Sequence, residues 1–107
     1  MANTYKNAKV DLTTTNATTV LTTPVGSTNI IKSMLVSEDS GNADTITLTK
    51  TDTDSAVFSL FKVKAVSANT TVELLTQQLV LQDSEILKAT AATANRLHLV
   101  VSYLEIS

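Results

Sequence analysis

Threonine occupies every second position over residues 45–51, where Ile46, Leu48 and Lys50 stand between the threonines. Successive side chains of a β-strand point to opposite faces, so this segment predicts a strand with one buried face and one solvated face. Threonine is β-branched and favours such a pleated, half-buried setting over a helix. The chain contains nineteen threonines, which together with this pattern predicts a β-rich protein.

Further short apolar runs, separated by turn residues, predict more strands along the chain. Besides 45–51, the expected strands cover residues 18–23, 29–37, 56–66 and 96–106. The last of these is apolar on both faces, because Leu97, Leu99, Val101 and Tyr103 alternate with His98, Val100, Ser102, Leu104 and Ile106. Residues 5–12 predict an irregular extended segment before the first of these strands.

Residues 71–94 support two interpretations. The apolar residues Val72, Leu75, Leu79 and Ile86 lie near helical spacing, and the surrounding Glu, Leu, Gln and Lys residues favour a helix. The other interpretation takes residues 72–74, 79–81 and 86–90 as short strands, with a turn at 83–85. The residues alone do not choose between them.

Short strands at regular spacing predict one antiparallel β-sandwich of about eight strands, either jelly-roll-like or immunoglobulin-like. The length of 107 residues fits a single domain, expected to span residues 1–107 with an extended N-terminal arm at about residues 1–8. The predicted elements do not alternate between helices and strands, so a nucleotide-binding α/β sheet is not expected.

Composition and charge narrow the classes of partner. The net charge is −2 and the lysines are dispersed, whereas nucleic-acid binding requires clustered basic residues. The chain has no cysteine, which excludes disulfides and thiolate metal sites. We expect no secretory signal at the N-terminus and no membrane span, since no apolar run approaches about 20 residues. Neither nucleic acid nor a membrane is therefore an expected partner.

The sequence offers little for catalysis. His98 is the only imidazole, and a catalytic histidine needs a nucleophile and an orienting group beside it. His98 stands among apolar residues of a predicted strand, where a surface or interface position is expected instead. The two glycines form no phosphate-binding loop. We expect a protein without enzymatic activity, catalytic residues or cofactors.

One loop is rich in oxygen ligands, since Glu38, Asp39 and Asp44 flank Gly41 and Asn42. Such loops can bind Ca²⁺, but the spacing differs from the twelve-residue calcium loop, which places acids at alternate positions. We expect a solvated loop without metal and retain Asp39 and Asp44 as weak metal candidates.

The apolar strands carry more hydrophobic surface than one thin sandwich needs. Two explanations are open: both sheets bury these residues, or part of them forms an interface. We favour an interface, in a homo-oligomer (a trimer) or on a larger assembly. The expected interface residues are Tyr5, Ile31, Phe61, Val100, Leu104 and Ile106.

Several blocks of sequence, in a fixed order, carry a resemblance to known proteins. They are MANTYKNA (1–8), TTVLTTP (18–24), IIKSMLVS (30–37), ADTITLT (43–49), TVELL (71–75), LVL (79–81) and ANRLHLVVSYLEI (94–106). In these blocks the chain resembles a family of small virion proteins of tailed bacteriophages, especially marine and cyanobacterial phages.

The resemblance implies a β-sandwich structural protein, and it favours strands over a helix in residues 71–94. It implies a location in the virion, assembled in the host cytoplasm, with the major capsid protein or other virion proteins as partners. The first expectation is a capsid decoration or cement protein that binds the shell as a multimer. The alternative is a tail, baseplate or fibre-associated protein. A more distant one is a carbohydrate- or Ca²⁺-binding module on the same sandwich.

Overall fold

The protein is described here by a computed structural model, which covers residues 3–107. These residues form nine β-strands and no helix. The strands are β1 (Asn3–Asp11), β2 (Thr18–Thr22), β3 (Thr28–Glu38), β4 (Asp44–Thr51), β5 (Val57–Val66), β6 (Thr71–Glu73), β7 (Leu79–Leu81), β8 (Ile86–Ala91) and β9 (Leu97–Ile106). The predicted antiparallel β-sandwich is confirmed, with nine strands where about eight were expected.

The strands form two antiparallel sheets. Sheet A has the order β1-β9-β3-β6, with β7 also paired to β3, and sheet B has the order β2-β8-β4-β5. If β6 and β7 are taken as two halves of one interrupted strand, this is the order of an eight-stranded jelly roll, built from two Greek keys. Of the two sandwich types expected from the sequence, the structure therefore has the jelly roll.

Period-two patterns place the core between the sheets. In β9, Leu97, Leu99, Val101 and Tyr103 point inward, as the sequence predicted. Ile46 and Leu48 of β4 meet them from sheet B and are fully buried. Each fully buried leucine or isoleucine contributes about 1.5–3 kcal/mol relative to an exposed position. These alternating side chains are therefore the main reason why the two sheets adhere.

The ambiguous residues 71–94 form strands, and the helical interpretation is wrong. Leu87, Ala89 and Ala91 face the core at a spacing of two, which a helix would not permit. β8 lies between β2 and β4, so its backbone groups have partners on both sides. The near-helical spacing of the leucines in this region is a coincidence of short strands and the loops between them.

The N-terminal segment is regular. β1 pairs with β9 without a register shift, from Asn3 opposite Ile106 to Asp11 opposite His98. Residues 3–8, which fall within the arm expected from the sequence, thus lie along the C-terminal strand of the same chain. Met1 and Ala2, also part of that arm, are outside the described residues.

Candidate interaction surface

The outward side of sheet A, here called the outer A face, carries a row of apolar side chains. Strand register places Tyr5 beside Leu104, Leu104 beside Ile30, and Ile30 beside Val80. Tyr5 is 77% exposed and Val80 46% exposed. The row crosses four strands, and the residues at both of its ends are exposed. It therefore forms a continuous apolar band on the surface.

A second row of the outer A face runs parallel to the first. It consists of Lys9, Val100, Leu35 and Glu73, one from each neighbouring strand. Val100 and Leu35 are each 40% exposed. This row is apolar in its centre, with a cation on the β1 side and an anion on the β6 side. A polar row of Asn7, Ser102 and Ser33 lies between the two apolar rows. Exposed apolar side chains grouped in this way are typical of interaction sites.

The outward side of sheet B, the outer B face, has a different chemistry. Strand β4, one of the two central strands of sheet B, presents Thr45, Thr47, Thr49 and Thr51 on this face. Each is half-buried, which confirms the alternation that predicted this strand. Thr90 and Lys88 of β8 lie beside Thr47 and Thr49. Hydroxyl groups and one ammonium group therefore cover the middle of this face. Apolar side chains appear at one end, where Val57 and Ile86 lie on either side of Thr51.

Four of the six expected interface residues lie on the outer A face, namely Tyr5, Val100, Leu104 and Ile106. Ile31 does not, because it lies opposite the inward-pointing Tyr103 and is fully buried. Its neighbour Ile30 takes the outward position instead. In an Ile-Ile pair, the period-two pattern does not show which residue points outward. The prediction therefore placed Ile31 on the surface, where the structure has Ile30.

Phe61, the sixth expected residue, belongs to sheet B, where it lies opposite the buried Leu48 and packs against the core at the margin of the sandwich. It lines an open groove of about 250 Å³ between β5 and the loop that joins β6 to β7, with Leu60, Leu74, Leu75, Gln77 and Gln78 among the other lining residues. None of the described residues that line it is charged. The groove can therefore accept an apolar side chain, but it offers no group for acid–base chemistry.

Glu38 is a buried carboxylate whose role the sequence did not reveal. Its two oxygens accept hydrogen bonds from the backbone N–H groups of Ser40 (2.9 Å), Gly41 (3.0 Å), Asn42 (3.1 Å) and Asn69 (3.3 Å), and from the Ser40 hydroxyl. Burial alone raises the pKa of Glu38, but these hydrogen bonds outweigh burial and lower the pKa to about 2. The carboxylate thus organises the β3–β4 loop from within.

Asp39 and Asp44, the weak metal candidates, point to different partners. Asp44 Oδ2 accepts a hydrogen bond from the Thr93 backbone N–H at 3.1 Å. Asp39 Oδ2 lies 3.6 Å from Nδ1 of His98. Within residues 3–107, no three histidine or carboxylate side chains are grouped in a way that could hold a metal ion.

His98 stands in a Ser–His–Asp row of the outer A face, flanked by Ser37 on β3 and Asp11 on β1. Its Nε2 lies 3.2 Å from Asp11 Oδ1, and its Nδ1 faces Asp39. Because both ring nitrogens face carboxylates, neither is positioned to take a proton from Ser37, as a catalytic histidine would. The arrangement places the end of β1 next to the β3–β4 loop.

Comparison of the sequence with protein families and with curated proteins finds no match in either. Residues 3–107 include no helix that is long and apolar enough to cross a membrane. The class that fold and surface define is thus a jelly-roll sandwich with two exposed apolar rows on one outer face and a central cluster of threonines on the other.

Proposed function

We propose that the protein is a structural component of a bacteriophage virion, a capsid decoration protein that binds the major capsid shell in many copies through its outer A face. One observation carries the proposal: the exposed apolar rows lie on one side of the sandwich and the threonines on the other. An apolar face can dock onto a shell, while a hydroxyl-rich face stays solvated. The role requires buried area and no catalytic step.

Two further observations support the virion class. The ordered sequence blocks from residue 1 to residue 106 resemble phage virion proteins. The jelly roll is an architecture used by viral capsid proteins, although it also serves lectins and cupins. Such fold-level analogy raises the expectation of a virion role but does not specify the partner.

Binding to capsid shells stripped of their accessory proteins tests the proposal. Val100→Asp and Val80→Asp each place a charge in the outer A face, and Thr49→Asp places one in the outer B face as a matched control. We expect both outer A variants to lose at least about tenfold in affinity, equivalent to about 1.4 kcal/mol, while Thr49→Asp binds like the parent protein.

Circular dichroism and thermal melting of all three variants separate lost binding from lost folding. Equal binding by outer A and outer B variants would exclude the outer A face as the docking surface. Co-purification with tails in about a dozen copies or fewer, and no binding to shells, would replace the decoration role by a tail or baseplate role.

A further inference from the structure

Four strand positions form the margins of the two sheets, and exposed margins recruit other strands unless something blocks them. Three of them are interrupted. β2 has five residues and a register shift between Thr19 and Leu21. β6 and β7 have three residues each. β5 has two register shifts against β4 and a left-handed Val63.

β1 is the exception. It is nine residues long and every residue is in unshifted register with β9. Residues 3–7 are exposed on both faces. Bulges and strand breaks, which protect the other margins, are absent from β1 within residues 3–11.

The free hydrogen-bonding groups of β1 can be identified. The Leu12 N–H donates to the Leu97 carbonyl oxygen at 3.1 Å, directly across from it. In an antiparallel ladder, residues alternate between bonding the neighbouring strand and pointing away from it. The even-numbered residues 4–10 therefore bond β9, while Asn3, Tyr5, Asn7 and Lys9 present their N–H and C=O groups to the outside.

We infer that β1 pairs antiparallel with β1 of a second copy of this chain, about a two-fold axis at Asn7, so that two A sheets join into one. In this register Tyr5 lies opposite Lys9, where a cation–π contact is possible, and Asn3 lies opposite Asp11. The inward residues pair as Thr4 with Val10 and Lys6 with Ala8. All nine residues are used and no like charges lie directly opposite each other. Lys6 and its copy are diagonal neighbours, and each forms an ion pair with Glu105 of its own chain at 2.7 Å.

Other registers are poorer. An axis at Lys6 or at Lys9 places two lysines directly opposite each other, and an axis at Ala8 leaves Asn3 and Thr4 unpaired. The contact is isologous and closes at two copies, in contrast to the trimer expected from the sequence. It also joins the outer A faces of both copies into one surface. The inference is independent of the virion proposal, since it needs no shell.

Cysteine cross-linking tests this register, because the natural chain has no cysteine. In the inferred pair, Asn7→Cys brings two Cα atoms to about 5.5 Å, within the range a disulfide spans. Lys9→Cys is the matched control on the same strand and face, where the two Cα atoms would be about 14 Å apart. Mild oxidation should cross-link Asn7→Cys and leave Lys9→Cys monomeric.

Sedimentation of the unmodified protein over a range of concentrations supplies the second measurement. We expect a reversible rise from monomer mass to dimer mass. The inference would be overturned by equal cross-linking at both positions or by a trimer mass. It would also be overturned if the protein kept the monomer mass up to about 1 mM, a concentration that corresponds to the dissociation constant of a very weak interface. Capsid binding plays no part in either measurement, so failure here is distinct from failure of the proposed function.

Discussion

At the scale of single residues, Glu38 is a carboxylate enclosed by the N–H groups of its own loop. Glu38 is the last residue of β3 and its side chain is buried. Hydrogen-bond donors from residues 40–42 and from Asn69 surround both of its carboxylate oxygens. Backbone N–H groups in this arrangement stabilise an anion, in the same way as carboxylates stabilise a bound cation. The β3–β4 loop is therefore organised around one enclosed carboxylate.

Replacing Glu38 by glutamine should destabilise the fold and change how stability depends on pH. The pKa of Glu38 lies at about 2 in the folded protein and at its ordinary value near 4.5 when unfolded. The stabilisation it provides is complete above the unfolded pKa and is lost as the pH falls from about 4.5 towards 2. We expect Glu38→Gln to lower the melting temperature at pH 7 by about 5 °C or more.

Thermal melting from pH 7 to pH 2 checks this expectation. The parent protein should lose stability on acidification more steeply than Glu38→Gln does. Part of the loss will remain in the variant, because the pKa values of Glu73 and Asp83 are also lowered in the folded state, by hydrogen bonds that outweigh their burial. Asp39→Asn, in the same loop but exposed, is the control. An unchanged pH profile in Glu38→Gln would contradict the assigned role.

At the scale of strands, β5 departs most from regular geometry. Val63 has a φ of +52°, although branched residues rarely adopt the left-handed region. Its N–H donates to the Thr47 hydroxyl at 3.0 Å instead of to a backbone carbonyl. The threonine side chain thus compensates for the bulge, and the strain remains in the Val63 backbone.

Glycine substitution at two valines of β5 separates strain from packing. Val63 and Val57 are similarly exposed, at 60% and 61%, but only Val63 is left-handed. Val63→Gly relieves about 1–2 kcal/mol of backbone strain, which offsets the roughly 0.5–1 kcal/mol entropic cost of glycine. Denaturant unfolding should show little change or a gain in stability for Val63→Gly, and a loss of about 1 kcal/mol for Val57→Gly. Equal losses at both positions would show that Val63 is unstrained.

The strands also differ in how far the sequence predicted them. β4 and β9 have clear alternation, because each has one face against the core, and both were predicted within one or two residues. β1 has no such signal, since only Ala8 and Val10 are partly buried. Its regularity comes from backbone pairing with β9, whose residues are 87 to 103 positions away in sequence, so it leaves no local pattern.

The candidate surface was predictable only in part for the same reason. The second apolar face of β9 was visible in the sequence and led to Val100, Leu104 and Ile106. The residues that complete the rows, Ile30, Leu35 and Val80, come from β3 and β7, and only the register reveals that they are neighbours. The sequence alone shows that β9 has apolar residues on its outer face. It does not show which residues of β3 and β7 lie beside them.

At the scale of the whole molecule, non-local pairing dominates. Only β4 and β5 form a pair of consecutive strands, while β1–β9 joins the two ends of the described chain and β2–β8 spans much of it. Such topologies fold slowly, in milliseconds to seconds, because distant segments must meet before contacts form. β1 contributes few buried side chains, so its removal from the sheet should cost less than that of any central strand.

Hydrogen exchange of the backbone amides resolves this hierarchy. The central strands β9, β3, β8 and β4 have partners on both sides and should exchange slowest. In dilute protein, β1 should alternate, with slow exchange at Thr4, Lys6, Ala8 and Val10, whose N–H groups bond β9, and fast exchange at the odd-numbered residues between them. At high concentration the pairing of two β1 strands should slow Tyr5, Asn7 and Lys9 and leave the threonines of the outer B face unaffected. Uniform exchange along β1 at every concentration would contradict both its regular pairing with β9 and its role as the open margin of the sandwich.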